Sequence, residues 1–242
     1  MDNVTLYQFS PRQIMVIPKN GAYFIREFEA STLCKKDIHN PEWYIQRKIL
    51  DNEEGYFDFS KNMIDIGACY GTYCTLLPFQ TFFMFEPNKE FAAYCHANML
   101  LHGKIYQANI FNVAVSDYTG MLKFDGFIGG ELANDDGSSW MQTPCMNVQC
   151  VRLDDMQDIL KNIGFVKIDI EGMEPYALNG MRRVLKNNNY PPILYESWVE
   201  SMGEPLEHFK RRTEMLEQFF EEMGYRVLYE WGDYINHLAV HD

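Results

Sequence analysis

Met63-Ile64-Asp65-Ile66-Gly67-Ala68-Cys69-Tyr70-Gly71-Thr72 runs an apolar strand into D-x-G-x-x-x-G and then into a short helical stretch that Pro78 cuts off. Glycines at 67 and 71 let the backbone turn sharply and come close to a ligand. The first amides of the following helix would face the ligand's polar part. The dinucleotide fingerprint G-x-G-x-x-G is not present, so for this segment alone a tight turn with no ligand is an equal reading. The next strand changes the balance. Thr81-Phe82-Phe83-Met84-Phe85 ends in Glu86-Pro87-Asn88, and an acid at the end of a second strand can accept both hydroxyl protons of a ribose.

Outward from this pair of strands the same rhythm continues. Apolar runs recur at 111–115, at 165–170 and at 192–195, each suited to a parallel strand covered on both faces. Helical patterns lie between them, at Lys89 to Leu101, Glu174 to Asn187 and Leu206 to Met223. Residues 225–242 read as two strands around Trp231-Gly232-Asp233, an antiparallel hairpin closing an otherwise parallel sheet. Residues 119–150 interrupt the rhythm with Gly126, Gly129, Gly130 and Gly137 and with Asp135-Asp136, and read as a β-rich insertion or loop near the site. The expectation is an α/β three-layer sandwich over 60–242, with ligands at the C-terminal strand ends. Residues 1–59 read as a small β/α extension packed on that core. In it the Asn20-Gly21 turn would join a strand at 13–17 to another at 22–25, and a helix would run from Glu42 to Leu50.

With 242 residues, the chain has room for one full domain. Its 47% hydrophobic and 23% charged residues are those of a folded protein. Lys and Arg number 21 against 34 Asp and Glu, a net charge of -13. That balance disfavours partners held through phosphate, so neither a nucleic acid nor an anionic membrane surface is expected. No apolar run approaches the roughly 18 residues of a spanning helix, and Met1 to Ser10 has no secretory pattern. Six scattered cysteines form no C-x-x-C and no zinc spacing, which reads as reduced thiols in a cytoplasmic protein. The histidines form no H-E-x-x-H, and there is no G-x-S-x-G elbow, so zinc and serine-hydrolase chemistry are unsupported. Aromatic residues reach 15%; Trp140 and Trp198 could stack on a sugar face, although core packing is the commoner use.

Several blocks occur in a set order: Asp65-Ile66-Gly67-Ala68 with Gly71-Thr72-Tyr73, Phe85-Glu86-Pro87-Asn88, Asn112-Val113-Ala114-Val115-Ser116-Asp117, Leu153-Asp154-Asp155, Lys167-Ile168-Asp169-Ile170-Glu171-Gly172-Met173-Glu174 and Pro192-Ile193-Leu194-Tyr195-Glu196. Together they resemble the FkbM family of S-adenosylmethionine-dependent methyltransferases over residues 60 to about 200. The resemblance implies a class I methyltransferase fold, Rossmann-like, with a seven-stranded sheet whose last strand is antiparallel. It implies S-adenosylmethionine as cofactor and methyl transfer to oxygen, typically a hydroxyl of a sugar or other small or glycosylated acceptor. By position, Asp65, Gly67, Ala68 and Gly71 would hold the methionine moiety. Glu86 would take the ribose hydroxyls, with Pro87 and Asn88 shaping the turn, and Ala114, Val115 and Ser116 would border the adenine. Cys69 stands where the family often has Asn.

A neutral hydroxyl is a poor nucleophile, so a carboxylate that takes its proton is the expected second element. Asp169, at the end of the fourth strand, is the first candidate; Glu171 on the following turn and Glu196 at the end of the fifth strand come next. The alternative for each is a carboxylate that caps the next helix, and for Glu174 that alternative is preferred. Asp154, Asp169 and Glu171 offer oxygen ligands to magnesium or manganese, but nothing in their spacing calls for a metal, and none is favoured. A nucleic-acid amino-methyltransferase on the same fold would carry D/N-P-P-Y/F after the fourth strand, where this chain has Asp169-Ile170-Glu171-Gly172. A cofactor-binding protein without catalysis, and an enzyme acting on another small-molecule hydroxyl, are the remaining readings.

Overall fold

The computed structural model describes residues 4–10, 13–18, 41–124, 146–197, 206–229, 231 and 235–241. In chain order they form β1 (Val4–Ser10), β2 (Gln13–Pro18), α1 (Pro41–Asp51), β3 (Asn62–Ile66), α2 (Thr72–Leu76), β4 (Phe82–Phe85) and α3 (Lys89–Leu101). There follow β5 (Ala108–Phe111), β6 (Ala114–Val115), β7 (Gly120–Phe124), β8 (Met146–Val151), β9 (Ile163–Ile168), α4 (Glu174–Asn179) and α5 (Arg182–Asn187). The chain continues through β10 (Ile193–Glu196), α6 (Leu206–Met223), β11 (Tyr225–Leu228) and β12 (Asn236–His241).

Seven strands make one sheet in the order β11-β12-β10-β9-β3-β4-β5. The contacts from β10 to β5 are parallel, and β12 runs antiparallel to both β10 and β11. The chain moves outward from β3 through β4 to β5, then returns to build β9 on the other side of β3. The β3–β9 boundary is therefore the switch point, where α/β sheets open a crevice.

Period-two alternation divides the core into two layers. Ile64, Ile66, Phe83, Phe85, Val166, Ile168, Ile193 and Tyr195 face one side, packed with Ala177 and Leu178 of α4, Val184 of α5 and Phe219 of α6. Met63, Phe82, Met84, Phe165 and Leu194 face the other, with Ile45 and Ile49 of α1, Cys74 of α2, and Cys95 and Met99 of α3. Much of the aromatic content goes into this second layer, where Phe79 stacks on Phe165 at 5.6 Å and Phe57 meets it edge-on at 5.1 Å. Trp140 and Trp198 lie outside the described residues. Among the described residues no helix is long and apolar enough to cross a membrane, and Cys69, Cys74, Cys95 and Cys150 are free thiols.

Three expected elements differ. The strand expected at 111–115 is two: β5 ends at Phe111, and Ala114–Val115 joins a separate three-stranded sheet, β6-β8-β7. The break falls at Asn112, whose side chain donates to the Glu86 and Pro87 carbonyls at 2.9 Å each and turns the chain off the sheet. The strand expected at 165–170 is Ile163–Ile168; it begins earlier because Gly164 lets the chain pass Lys61, whose Cβ would lie 2.7 Å from any added Cβ. The helix expected at 174–187 is broken into α4 and α5. Gly180 packs against the Ser116 carbonyl oxygen, 2.1 Å from where a Cβ would stand, and Asp154 caps the restart by accepting from the Arg183 and Val184 amides. β2 pairs with β1; the strand expected at 22–25 lies outside the described residues. Met15 and Ile17 of β2 pack on Tyr70 and Phe91, and Gln13 Nε2 donates to the Thr72 carbonyl at 2.6 Å, so the hairpin braces the glycine loop.

Candidate functional site

Strand register sets out the site. Ile66 pairs with Phe85 and with Ile168, Phe85 pairs with Phe111, and Ile168 pairs with Tyr195. One residue further on, Asn112, Glu86, Gly67, Asp169 and Glu196 therefore stand in that order along the C-terminal edge, about 4.8 Å apart from strand to strand. Five sequence blocks far apart in the chain become one row.

The glycine loop closes the middle of the row. Gly67 has φ 78°, and a Cβ there would come within 1.9 Å of the Asp169 carbonyl oxygen. The Gly67 and Ala68 amides both donate to the Phe85 carbonyl, at 3.0 and 3.1 Å. Cys69 takes φ 48°, a conformation that turns its amide onto Glu86 Oε2 at 2.9 Å. Gly71, also left-handed, precedes α2.

Glu86 is buried, 5% exposed. Its other oxygen, Oε1, accepts from the Asn88 amide at 2.8 Å. Asn88 in turn caps α3, its Oδ1 accepting from the Glu90 and Phe91 amides, and Pro87 offers its carbonyl to Asn112. Burial pushes the Glu86 carboxyl up to about 7, the two amides offsetting part of that rise. Each carboxylate oxygen has a second acceptor direction beyond its amide.

Beyond Gly67 the chemistry changes. Asp169 Oδ2 accepts from Lys167 Nζ at 3.1 Å, and 31% of its side chain is exposed. Glu196 hydrogen-bonds Asp169, and the two carboxyls pull apart in acidity. Lys167 and this hydrogen bond hold Asp169 below the usual carboxylate range despite burial, while burial and the Asp169 charge push Glu196 well above it. The two carboxyls thus sit side by side with their acidities pushed in opposite directions.

The other candidates fall around the row. Glu171 is half-buried on the turn after Asp169, in a left-handed conformation at φ 55°. Glu174 is buried and accepts from the Ile170 and Gly172 amides at 3.0 and 3.2 Å, so it pins that turn from the start of α4; burial raises it to about 7. Asp65 is 1% exposed and lies beneath the loop, accepting from Cys74 Sγ at 3.2 Å. Ala114 packs with Leu122, Phe124 and Cys150, Val115 joins the main core, and Ser116 is buried with its amide on the Val151 carbonyl. Asp154 is spent on the start of α5, away from a common site with Asp169 and Glu171. Among the described residues no group of three or more His, Cys, Asp or Glu is arranged to hold a metal ion.

Two residues of the row's support have no role in the sequence reading. Asn112 binds the β4 exit, and Lys167 carries the charge beside Asp169. Lys167 has a signal, since a lysine inside Phe165-Val166-Lys167-Ile168 sits where both neighbours are buried and requires a buried counter-charge.

The arrangement offers a hydroxyl-binding carboxylate on one side of the switch point and a proton-accepting pair on the other. The family model of the Methyltransferase FkbM domain matches residues 65–227. Among solved structures, a methyltransferase FkbM from Methylobacillus flagellatus KT is similar at TM-score 0.55 and 17% identity, over 83% of this chain and 50% of that one. The present chain thus spans about half the length of that protein. A protein assigned as a caffeoyl-CoA O-methyltransferase from Staphylococcus aureus is similar at TM-score 0.51 and 12% identity, over 91% of each chain. At these identities the likeness is one of fold. A search of curated proteins finds no match.

Proposed function

The chain belongs to the FkbM methyltransferase domain family, and we propose that it is a cytoplasmic S-adenosylmethionine-dependent O-methyltransferase whose acceptor is a hydroxyl of a sugar or glycan. The observation that carries this reading is the single row in which Glu86 and the Asp169–Glu196 pair flank Gly67. The residues fit the cofactor by their chemistry. Two vicinal ribose hydroxyls are donors, and Glu86 presents two oxygens, each with an acceptor direction to spare. The backbone of the glycine loop, free of side chains at 67 and 71, would line the methionine end. When bound, the cofactor supplies a methyl carbon on a cationic sulfur.

What the chain's own residues do follows from their places. Glu86 and the loop would hold the donor at the β3–β4 side, and the acceptor hydroxyl would lie at the β9 side. Orientation of this kind supplies roughly 7–11 kcal/mol of a displacement barrier. Asp169, ionised and partly exposed, takes the hydroxyl proton as the oxygen attacks. Glu196, carrying its proton, hydrogen-bonds Asp169 from the far side and keeps its second oxygen aimed. A neutral acceptor suits a protein of charge -13, which repels polyanions.

The test is calorimetric titration with S-adenosylhomocysteine, followed by methyl transfer from labelled S-adenosylmethionine to a panel of sugars, glycans and small hydroxylated acceptors. Micromolar or tighter binding and labelled sugar product support the reading. Binding with transfer only to a non-sugar hydroxyl overturns the acceptor class, and binding with transfer to nothing leaves a cofactor-binding protein.

A further inference from the structure

Lys167 is a lysine in the middle of the sheet that the mechanism above has not used. It stands directly opposite Asp65 in the β3–β9 register, and Asp169 follows two residues later on the same face. Its Nζ lies 3.1 Å from Asp169 Oδ2 and 3.8 Å from Asp65 Oδ1, over the Tyr73 ring at 4.9 Å. Only 7% of the side chain is exposed. Removing an ammonium from water costs several kcal/mol unless partners restore it, and an apolar residue would fill this strand position without that cost.

The count of charges shows what the lysine does. Asp65 and Asp169 flank one ammonium and Glu196 hydrogen-bonds Asp169, and carboxylates in such a space do not all ionise together. The proton then goes to the carboxyl that the cation reaches least. Asp169 Oδ2 lies nearer to Nζ than Asp65 Oδ1 does, and Glu196 hydrogen-bonds Asp169. We propose that Lys167 is a positioning residue that fixes which member of the pair is the base, holding Asp169 ionised and leaving the shared proton on Glu196. This rests on the reading of Asp169 as the group that takes the hydroxyl proton.

The surroundings reinforce the assignment. Glu171 and Glu174 face Glu196 from the following turn and from α4, and both raise it further. Glu86 feels the Lys167 charge from β4. Asp65 is raised by burial, which the Lys167 charge offsets in part, and its Oδ1, at 3.8 Å, lies farther from Nζ than Asp169 Oδ2 at 3.1 Å. From α6, the Arg212 guanidinium lies against Gly172, within 2.9 Å of where a Cβ would stand, on the side of the turn that carries Glu171.

Carbon-13 carboxyl NMR on Asp- and Glu-labelled protein reads the pair without any methyl transfer. In the unaltered protein the Asp169 signal should titrate well below that of Glu196. Lys167→Met should move the Asp169 titration up by about one to three pH units, the worth of a nearby opposite charge, and Lys167→Arg should return most of the shift. The acidic limb of the kcat–pH profile should move with it. If Lys167→Met fails to fold because Asp65 loses its counter-charge, Asp65→Asn with Lys167→Met presents the same question in a neutral setting. An Asp169 titration that does not move in either folded variant overturns the proposal. A shifted titration in a protein that methylates no acceptor upholds the role of Lys167 and counts against the enzyme reading alone.

Discussion

Glu86 and Asp169 stand two strands apart, ~10 Å along the same edge, and have opposite electrostatic settings. Glu86 is held by two neutral amides, and burial still lifts it to about 7. Asp169 touches a full positive charge, and that contact outweighs burial. Glu174 is a control within the same molecule, since it is also held by amides, also buried and also near 7. Backbone donors orient a carboxylate but do not repay its desolvation, whereas one ammonium does. On the proposed reading, the β4 side would recognise hydroxyls and the β9 side would accept a proton.

Breaking the proton-accepting side should have the largest effect. Asp169→Asn is expected to cut turnover by roughly 10²–10⁴-fold, the usual worth of a general base, with S-adenosylhomocysteine affinity nearly intact by calorimetry. Turnover near that of the unaltered protein would move the base to Glu171 or Glu196. Gly67→Ala strikes the seam between the two sides, because its Cβ meets the Asp169 carbonyl and its φ is left-handed. A loss of about 2–5 kcal/mol is expected from strain plus overpacking, read from urea midpoints; a stability within 1 kcal/mol of the parent, by the usual spread for neutral sites, would mean the loop relaxes freely.

The recognition side should yield smaller numbers. Glu86→Ala is expected to weaken S-adenosylhomocysteine binding by about 1.5–3 kcal/mol, the range for hydrogen bonds to a charged group; unchanged affinity in a folded variant would put the ribose elsewhere. The comparison also sharpens with pH. A carboxylate near 7 is mostly protonated at pH 6 and mostly ionised at pH 8, so affinity should rise about tenfold across that interval. In the ligand-free protein the same raised value acts the other way, since the folded state binds the extra proton. Stability should therefore fall as pH climbs from about 4.5 to 7, by up to about 1.4 kcal/mol per pH unit for Glu86 and again for Glu174. Glu174→Gln should flatten its part of that slope in thermal melts, and an unaltered slope would show that Glu174 ionises normally.

The parts of this site that were legible in the sequence are those written locally. The apolar runs gave β3 and β4, the turn chemistry gave Gly67 and Gly71, and strand-end position gave Glu86, Asp169 and Glu196. What escaped is written between distant segments. Asn112 ends β5 because its amide reaches the β4 exit, and nothing in the run 111–115 shows that. Gly180 breaks a continuous helical pattern because the Ser116 backbone presses on it. Lys167 could be flagged as an odd residue in a strand, but its role depends on Asp65 lying opposite, which is a matter of register. The pairing of β2 with β1 also lies between segments, and no turn signal such as Asn20-Gly21 reports it; Met15 and Ile17 on that strand pack on Tyr70 and Phe91.

The small sheet beside the main one has a consequence for how such a protein can diversify. β7 and β8 pair along their whole length, from Gly120 opposite Cys150 to Phe124 opposite Met146, so the chain leaves at one rung of a ladder and re-enters at the same rung. The two ends of the intervening sequence are thus already joined, and for a flexible loop doubling the length adds only about 0.6 kcal/mol of closure entropy. Residues can be gained, lost or exchanged wholesale between Phe124 and Met146 while the row on the main sheet keeps its spacing.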